Sequence, residues 1–142
     1  MEIIKRVSDY AMRGLVYMVK NSDKTKIFDL TTVSRNTDAP LPFLQKIFRK
    51  LSKAGFLATH RGINGGFSFI TPPNKLSLLE IIEVVQGELL INQCFSDSKT
   101  CGREPYCGFR VKLAEADILY KEYLSKTTLQ DAVDHEISLG KK

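Results

Sequence analysis

The 142-residue chain is 43 % hydrophobic and 26 % charged, the balance of an ordinary globular protein. It is most simply one domain, or a small domain with an appended oligomerisation element, so wholesale disorder, fibrous repeats and a two-lobed enzyme are excluded. No apolar run reaches the roughly twenty residues of a membrane span, and the opening Met-Glu-Ile-Ile-Lys-Arg lacks a secretory signal, so a cytoplasmic protein with reduced cysteines is expected. The net charge of +5 is uneven: residues 1–75 carry 13 Lys and Arg against 5 Asp and Glu, a net +8, while residues 76–142 carry 8 against 11, a net −3. This fits either a polyanion-binding module joined to a part with another task or a basic solvated surface.

Val7, Tyr10, Ala11, Leu15, Met18 and Val19 recur at helical spacing and predict an amphipathic helix over 7–20, with Ser8 or Asp9 as its N-cap. Beyond a polar turn, Asp29 can cap a short helix over 29–36 with Leu30 and Val33 as its apolar side, which Thr37-Asp-Ala-Pro40 breaks. A third helix is predicted over 41–54, with Pro42 in its first turn, an apolar face of Phe43, Leu44, Ile47, Phe48 and Leu51, and Gly55 as its stop. Its other face carries Gln45, Lys46, Arg49, Lys50 and Lys53. Strands over 56–60 and 67–71 flank Arg61-Gly-Ile-Asn-Gly-Gly66, where Asn64-Gly65 signals a tight hairpin, and Pro72-Pro73 closes it. Leu76, Leu79, Ile82 and Val85 predict a helix over 76–86, stopped by Gly87.

The stretch 88–108 holds all three cysteines among Ser, Asp, Gly and Pro, and a loop of about twenty residues needs a reason such as a bound cofactor. A long helix over 109–125 follows, in which Phe109, Leu113, Ala116, Tyr120 and Tyr123 form either a seam for another helix or a face for its own domain. Asp117 with Lys121 and Glu122 with Lys126 support an exposed opposite face. A short helix over 127–136 and a frayed tail from Gly140 end the chain.

Helix, short helix, turn, basic amphipathic helix and Gly-rich hairpin is the order of a winged helix-turn-helix, so the expected fold is mainly α with a small β-hairpin. The third helix then lies in the major groove, with Gln45 suited to adenine and Lys46, Arg49, Lys50 and Lys53 to phosphates. In the hairpin, Arg61 suits a narrow minor groove, His60 and Asn64 lie beside it, and Gly65 lets the backbone come close to DNA. Cys94, Cys101 and Cys107 lack the close pair usual in zinc sites, and His60 and His135 are poorly placed to complete one. The thiols suit either an iron–sulfur cluster with a fourth ligand from elsewhere or no metal at all. The expected organisation is a winged helix-turn-helix region over 1–75, a linking helix and cysteine loop over 76–108, and a dimerisation helix with tail over 109–142.

Ser8-Asp-Tyr-Ala-Met-Arg13, Phe43-Leu-Gln-Lys-Ile-Phe48, Leu51-Ser-Lys-Ala-Gly55 and Arg61-Gly-Ile-Asn-Gly-Gly66, with the three-cysteine loop and the helix after it, cover nearly the whole chain. In these motifs the chain resembles the bacterial iron–sulfur-dependent winged-helix transcriptional regulators, a family that includes the cluster-assembly regulator IscR, the nitric-oxide sensor NsrR and the iron regulator RirA. The resemblance implies a homodimer held by crossed long helices, with a cluster whose state controls affinity for a double-stranded operator of two-fold-related half-sites. Cys94, Cys101 and Cys107 stand where the family's cluster ligands do. The cluster-assembly regulator has a histidine three residues after its last cysteine, and Arg110 stands there instead. In the nitric-oxide sensor branch an aspartate of the partner subunit is the fourth ligand of a four-iron cluster, and Asp9 matches it; its other role is to favour the helix dipole. A 4Fe-4S cluster is thus favoured, with 2Fe-2S as the alternative.

Three readings follow: a cluster-dependent repressor responding to nitric oxide, oxidants or iron–sulfur status, a cluster-free thiol-based redox regulator, and an iron–sulfur redox protein on a winged-helix scaffold. An enzyme is not expected, because no acid/base pair, phosphate-cradling loop or substrate motif occurs.

Overall fold

Helix α1 (Arg6–Lys20) turns Ala11, Leu15 and Met18 inward at the predicted spacing, and all three are fully buried in the computed structural model, which describes residues 2–95, 102–103 and 106–140. The helix begins differently from expectation. Its N-cap is Lys5, which has no side-chain cap bond, and Ser8 and Asp9 lie inside the first turns. The missing acceptor comes from 78 residues away: Gln86 Oε1 accepts the Ser8 hydroxyl at 2.6 Å. The same oxygen accepts the Lys5 N–H at 2.9 Å, and the Gln86 amide donates to the Ile3 carbonyl at 2.9 Å. A local pattern cannot encode a partner so distant, which is why the sequence pointed to Ser8 or Asp9.

Helix α2 (Leu30–Thr37) starts as predicted, with the Asp29 carboxylate accepting the Thr32 N–H at 2.9 Å and its hydroxyl at 2.7 Å. The turn after it puts Asp38 in the left-handed region at φ 55°, a conformation a short polar side chain tolerates. Ser34 Oγ donates to the Ala39 carbonyl at 2.6 Å and holds that turn closed. Helix α3 (Leu41–Lys53) then buries Leu44, Ile47, Phe48 and Leu51. Phe43, placed by periodicity on the same face, is 47 % exposed; it sits at the flank of the stripe, its ring 5.6 Å from that of Tyr10.

The hairpin pairs β1 (Leu57–His60) antiparallel with β2 (Gly66–Phe69), Leu57 opposite Phe69 and His60 opposite Gly66. A third segment joins it through the Phe28 and Phe67 backbones, bonded in both directions at 2.9 Å. Gly66 makes this possible: at φ +154° a side chain is strained, and a Cβ there would collide with the Phe28 carbonyl.

Leu76, expected inside the next helix, is instead extended and fully buried. Helix α4 (Leu78–Gln86) starts after it through a capping box, Ser77 Oγ accepting the Glu80 N–H at 3.1 Å and the Glu80 carboxylate accepting the Ser77 N–H at 2.9 Å. A 3-10 turn spans Gln93–Phe95, and the long helix α5 is Gly108–Lys126. The chain then returns to the start of α4, Leu129 N–H bonding to the Leu76 carbonyl at 2.8 Å and Leu78 N–H to the Thr127 carbonyl at 2.9 Å. Helix α6 (Leu129–Ser138), capped by Thr128 and Asp131, packs on α1, and Lys20 pairs with Glu136 at 2.8 Å.

One core results: Ala11, Leu15 and Met18 of α1 meet Val33, Leu44, Phe48, Leu76, Ile81 and Leu129. Each large apolar side chain so buried contributes about 1.5–3 kcal/mol. Among the described residues no helix is long and apolar enough to cross a membrane.

Candidate nucleic-acid interface and thiol site

The buried stripe of α3 forces its other side outward, and Gln45, Lys46, Arg49, Lys50 and Lys53 are all exposed there. This gives a helix face with one amide and four cations, the complement of base edges and phosphates. Lys50 differs from the rest in also donating Nζ to the Val85 carbonyl at 3.0 Å, at the end of α4. The turn of the hairpin leaves Arg61, Ile63 and Asn64 exposed and Gly65 half-buried. His60 is turned back onto the strand pair, its Nε2 at 2.7 Å from Ser68 Oγ. A groove lined by Thr25, Lys26, Ile27 and Asp29 on one side and Ile63, Asn64 and Gly65 on the other runs beneath the hairpin tip.

The thiols lie at the two ends of the loop. Cys94 is half-buried in the 3-10 turn, Cys107 is half-buried as the N-cap of α5, and Cys101 lies outside the described residues. Cys107 Sγ accepts the Arg110 N–H at 3.4 Å, so this sulfur stands at a helix N-terminus with a backbone donor already aimed at it. The Arg110 guanidinium stacks over the Phe95 ring at 5.4 Å, so one side chain joins the residue after Cys94 to the turn that begins at Cys107. Free thiols with an N–H donor to sulfur suit the thiolate ligation of an iron–sulfur group. Asp9 stands apart on α1, its carboxylate 2.8 Å from Arg13 Nη2, and the Arg13 guanidinium lies over the Tyr10 ring at 5.6 Å. His135 is exposed on α6, on another element from His60.

Helix α5 exposes a set of large apolar side chains beside its charged ones. Phe109, Val111, Ile118, Leu119 and Tyr123 are all more than half exposed. Of the expected seam, Phe109, Ala116 and Tyr123 are exposed while Leu113 and Tyr120 are half-buried. The polar side corrects the sequence reading in part. Glu122 and Lys126 pair at 2.9 Å in solvent as expected, whereas the Asp117 side chain is only 14 % exposed and pairs inward with Lys121 at 3.3 Å. Asp117 also accepts the Ile91 N–H at 3.4 Å, and Lys121 reaches Glu88 at 3.9 Å. Sequence reasoning missed Val111, Ile118 and Leu119 because it sought one seam, while apolar residues on two sides of α5 were the signal for two partners.

Comparison with known proteins agrees with this arrangement. The regulator NsrR of Bacillus licheniformis is 29 % identical over 140 residues, 94 % of this chain and 94 % of its own length. NsrR of Bacillus subtilis is 27 % identical over 140 residues, 94 % and 92 % of the two chains. Among solved structures, IscR of T. potens superposes with a TM-score of 0.72 at 17 % identity, covering 93 % of this chain and 86 % of that one. CymR, the global cysteine regulator of B. subtilis, gives 0.68 at 23 % identity, covering 95 % and 98 %. These likenesses establish the winged-helix fold. Residues 4–135 match the Rrf2 family, described as iron-dependent transcriptional regulators, and the chain belongs to that family of regulators, which are not enzymes.

Proposed function

We propose that the chain is a cytoplasmic, homodimeric DNA-binding repressor whose hold on its operator is controlled by an iron–sulfur cluster in the loop of residues 88–108. The observation that carries this reading is the union of an exposed basic α3 face with a cysteine loop that feeds directly into α5. Cys94, Cys101 and Cys107 would hold the cluster, with Asp9 of the partner subunit as candidate fourth ligand. A bound cluster supplies a centre sensitive to nitric oxide, oxidants and iron supply.

The chain's own residues do the rest. Gln45 reads base edges in the major groove, and Lys46, Arg49, Lys50 and Lys53 position α3 on phosphates. Arg61, His60, Asn64 and Gly65 bring the hairpin to the backbone and minor groove. A second copy covers the outward face of α5, which sets two α3 helices about 34 Å apart, one turn of DNA. Because the loop precedes α5, a change in what its thiols hold alters that spacing, and the two half-sites are no longer met together.

The test is iron and acid-labile sulfide, with a visible spectrum, on protein purified without oxygen. About four of each per chain supports the four-iron form, and about two of each the two-iron form. Cys101→Ser is expected to lose both iron and the response of operator affinity to nitric oxide in gel shifts. A chain that takes up no iron or sulfide on anaerobic reconstitution overturns the cluster.

A second reading, a thiol switch without metal, is favoured by the half-buried Cys107 with its N–H donor. CymR of Staphylococcus aureus, 19 % identical with a TM-score of 0.67, has been solved in an oxidized form. In this reading oxidant changes operator affinity in the iron-free protein, and gel shifts on iron-free protein with and without oxidant separate the two.

A further inference from the structure

The last turn of α4 touches three parts of the molecule. The Gln86 side chain makes three bonds to the start of α1, to the Lys5 N–H, the Ser8 hydroxyl and the Ile3 carbonyl. The Val85 carbonyl, one of those a helix end leaves without an intrahelical partner, accepts Lys50 Nζ of α3. Gly87 follows at once and opens the segment that leads to Cys94. Beyond it, Ile91 and Glu88 are held to Asp117 and Lys121 of α5. Residues 87–91 are therefore strung between α5 on one side and the joint at residues 85–86 on the other.

Ser8 is completely buried, so no water can replace Gln86 as acceptor for its hydroxyl. A displacement of α4's end must therefore carry the first turn of α1 with it or leave buried polar groups unpaired. Lys50 differs in being exposed, so its ammonium can leave the α4 carbonyl for water or for a phosphate.

We propose that Gln86 is a positioning residue through which the cysteine loop acts on the DNA-reading half, by tying the first turn of α1 to the head of the loop while Val85 ties α3 to the same point. This rests on the reading of the chain as a regulator controlled by its loop.

The experiment uses the full chain, reduced and metal-free, before and after alkylation of its cysteines with iodoacetamide, followed by hydrogen–deuterium exchange. In the wild type, alkylation is expected to raise exchange in the loop and also, by about threefold or more, at the amides of residues 3–9. Gln86→Met, which keeps the length and removes the hydrogen bonds, keeps the change in the loop and loses the change at 3–9. Gln86→Glu keeps both accepted bonds but sets a carboxylate oxygen against the Ile3 carbonyl, so it is expected to restore the change in part. If Gln86→Met does not fold, Ser8→Ala, which removes one of the two donors, must reduce the change transmitted to 3–9. An unresponsive 3–9 segment in the wild type, or an equal response in Gln86→Met or Ser8→Ala, overturns the proposal. Iron does not enter this readout, so a failed joint and a failed cluster are told apart: a chain that never takes up iron yet transmits the change sinks only the cluster.

Discussion

At Gly66 a single hydrogen in place of a side chain lets two strands and a third segment share one small sheet. Gly66→Ala pushes a methyl into the Phe28 carbonyl and forces a strained φ, so it is expected to cost on the order of 2 kcal/mol or more. Thermal unfolding measures that loss, and weaker DNA binding should accompany it because the hairpin tip loses its support. On α3 the exposed residues divide by chemistry. Gln45→Ala is expected to relax base preference at one position. Arg49→Ala is expected to weaken all sequences alike and lower the slope of log affinity against log salt by about 0.9. Binding-site selection and a salt titration on the two variants check this division, and a sequence-specific effect of Arg49→Ala would contradict it.

Among the elements, a local cap made α2 legible, while the equally local Ser77–Glu80 capping box of α4 was overlooked in favour of the apolar repeat that begins at Leu76. Asp29 before Leu30 and Val33 predicted α2 from its own residues, since an N-cap and an apolar repeat both lie within one turn. The start of α1 was not legible, because its acceptor is Gln86, and neither was the extension of Leu76, which comes from pairing with Leu129. The candidate site divides the same way. The outward cations of α3 follow from the burial of its apolar stripe, whereas the engagement of Lys50 with Val85 and of His60 with Ser68 depends on tertiary contacts. The cap of α2 also carries a pH signature. The Thr32 N–H, and then the Thr32 hydroxyl, hold the Asp29 carboxyl below its usual range, so its stabilisation is complete above about pH 4 and fades as pH falls through the lowered value. Asp29→Asn keeps the cap without the charge, and Asp29→Ala loses about 1 kcal/mol at neutral pH. Melting curves should therefore separate wild type from Asp29→Ala at pH 7, and the gap should narrow at pH 3.

Across the whole molecule, the first and last helices share one core, with Leu129 and Val133 of α6 buried against the helices of the DNA-reading half. Leu129→Ala is expected to cost about 2–5 kcal/mol and to lower the unfolding midpoint of the hairpin and α3 by the same amount as that of α6, in a single transition. Separate transitions for the two ends of the chain would contradict this. The shared core also gives α5 an unequal pair of ends. At Thr127 the backbone is bonded to Leu78, with the buried Leu129 two residues on, while at Cys107 the helix meets the cysteine loop. Helix α5 is thus a lever pivoted at its C-terminal end. Its 19 residues make an arm of about 28 Å. A displacement of about 2 Å at Cys107 swings that arm through only about 4°, yet the outward apolar residues move in proportion to their distance from the pivot. Phe109 travels almost the full displacement and Tyr123 only a small part of it, so a second copy seated on this face would be gripped firmly near Tyr123 and steered from the end nearest the thiols.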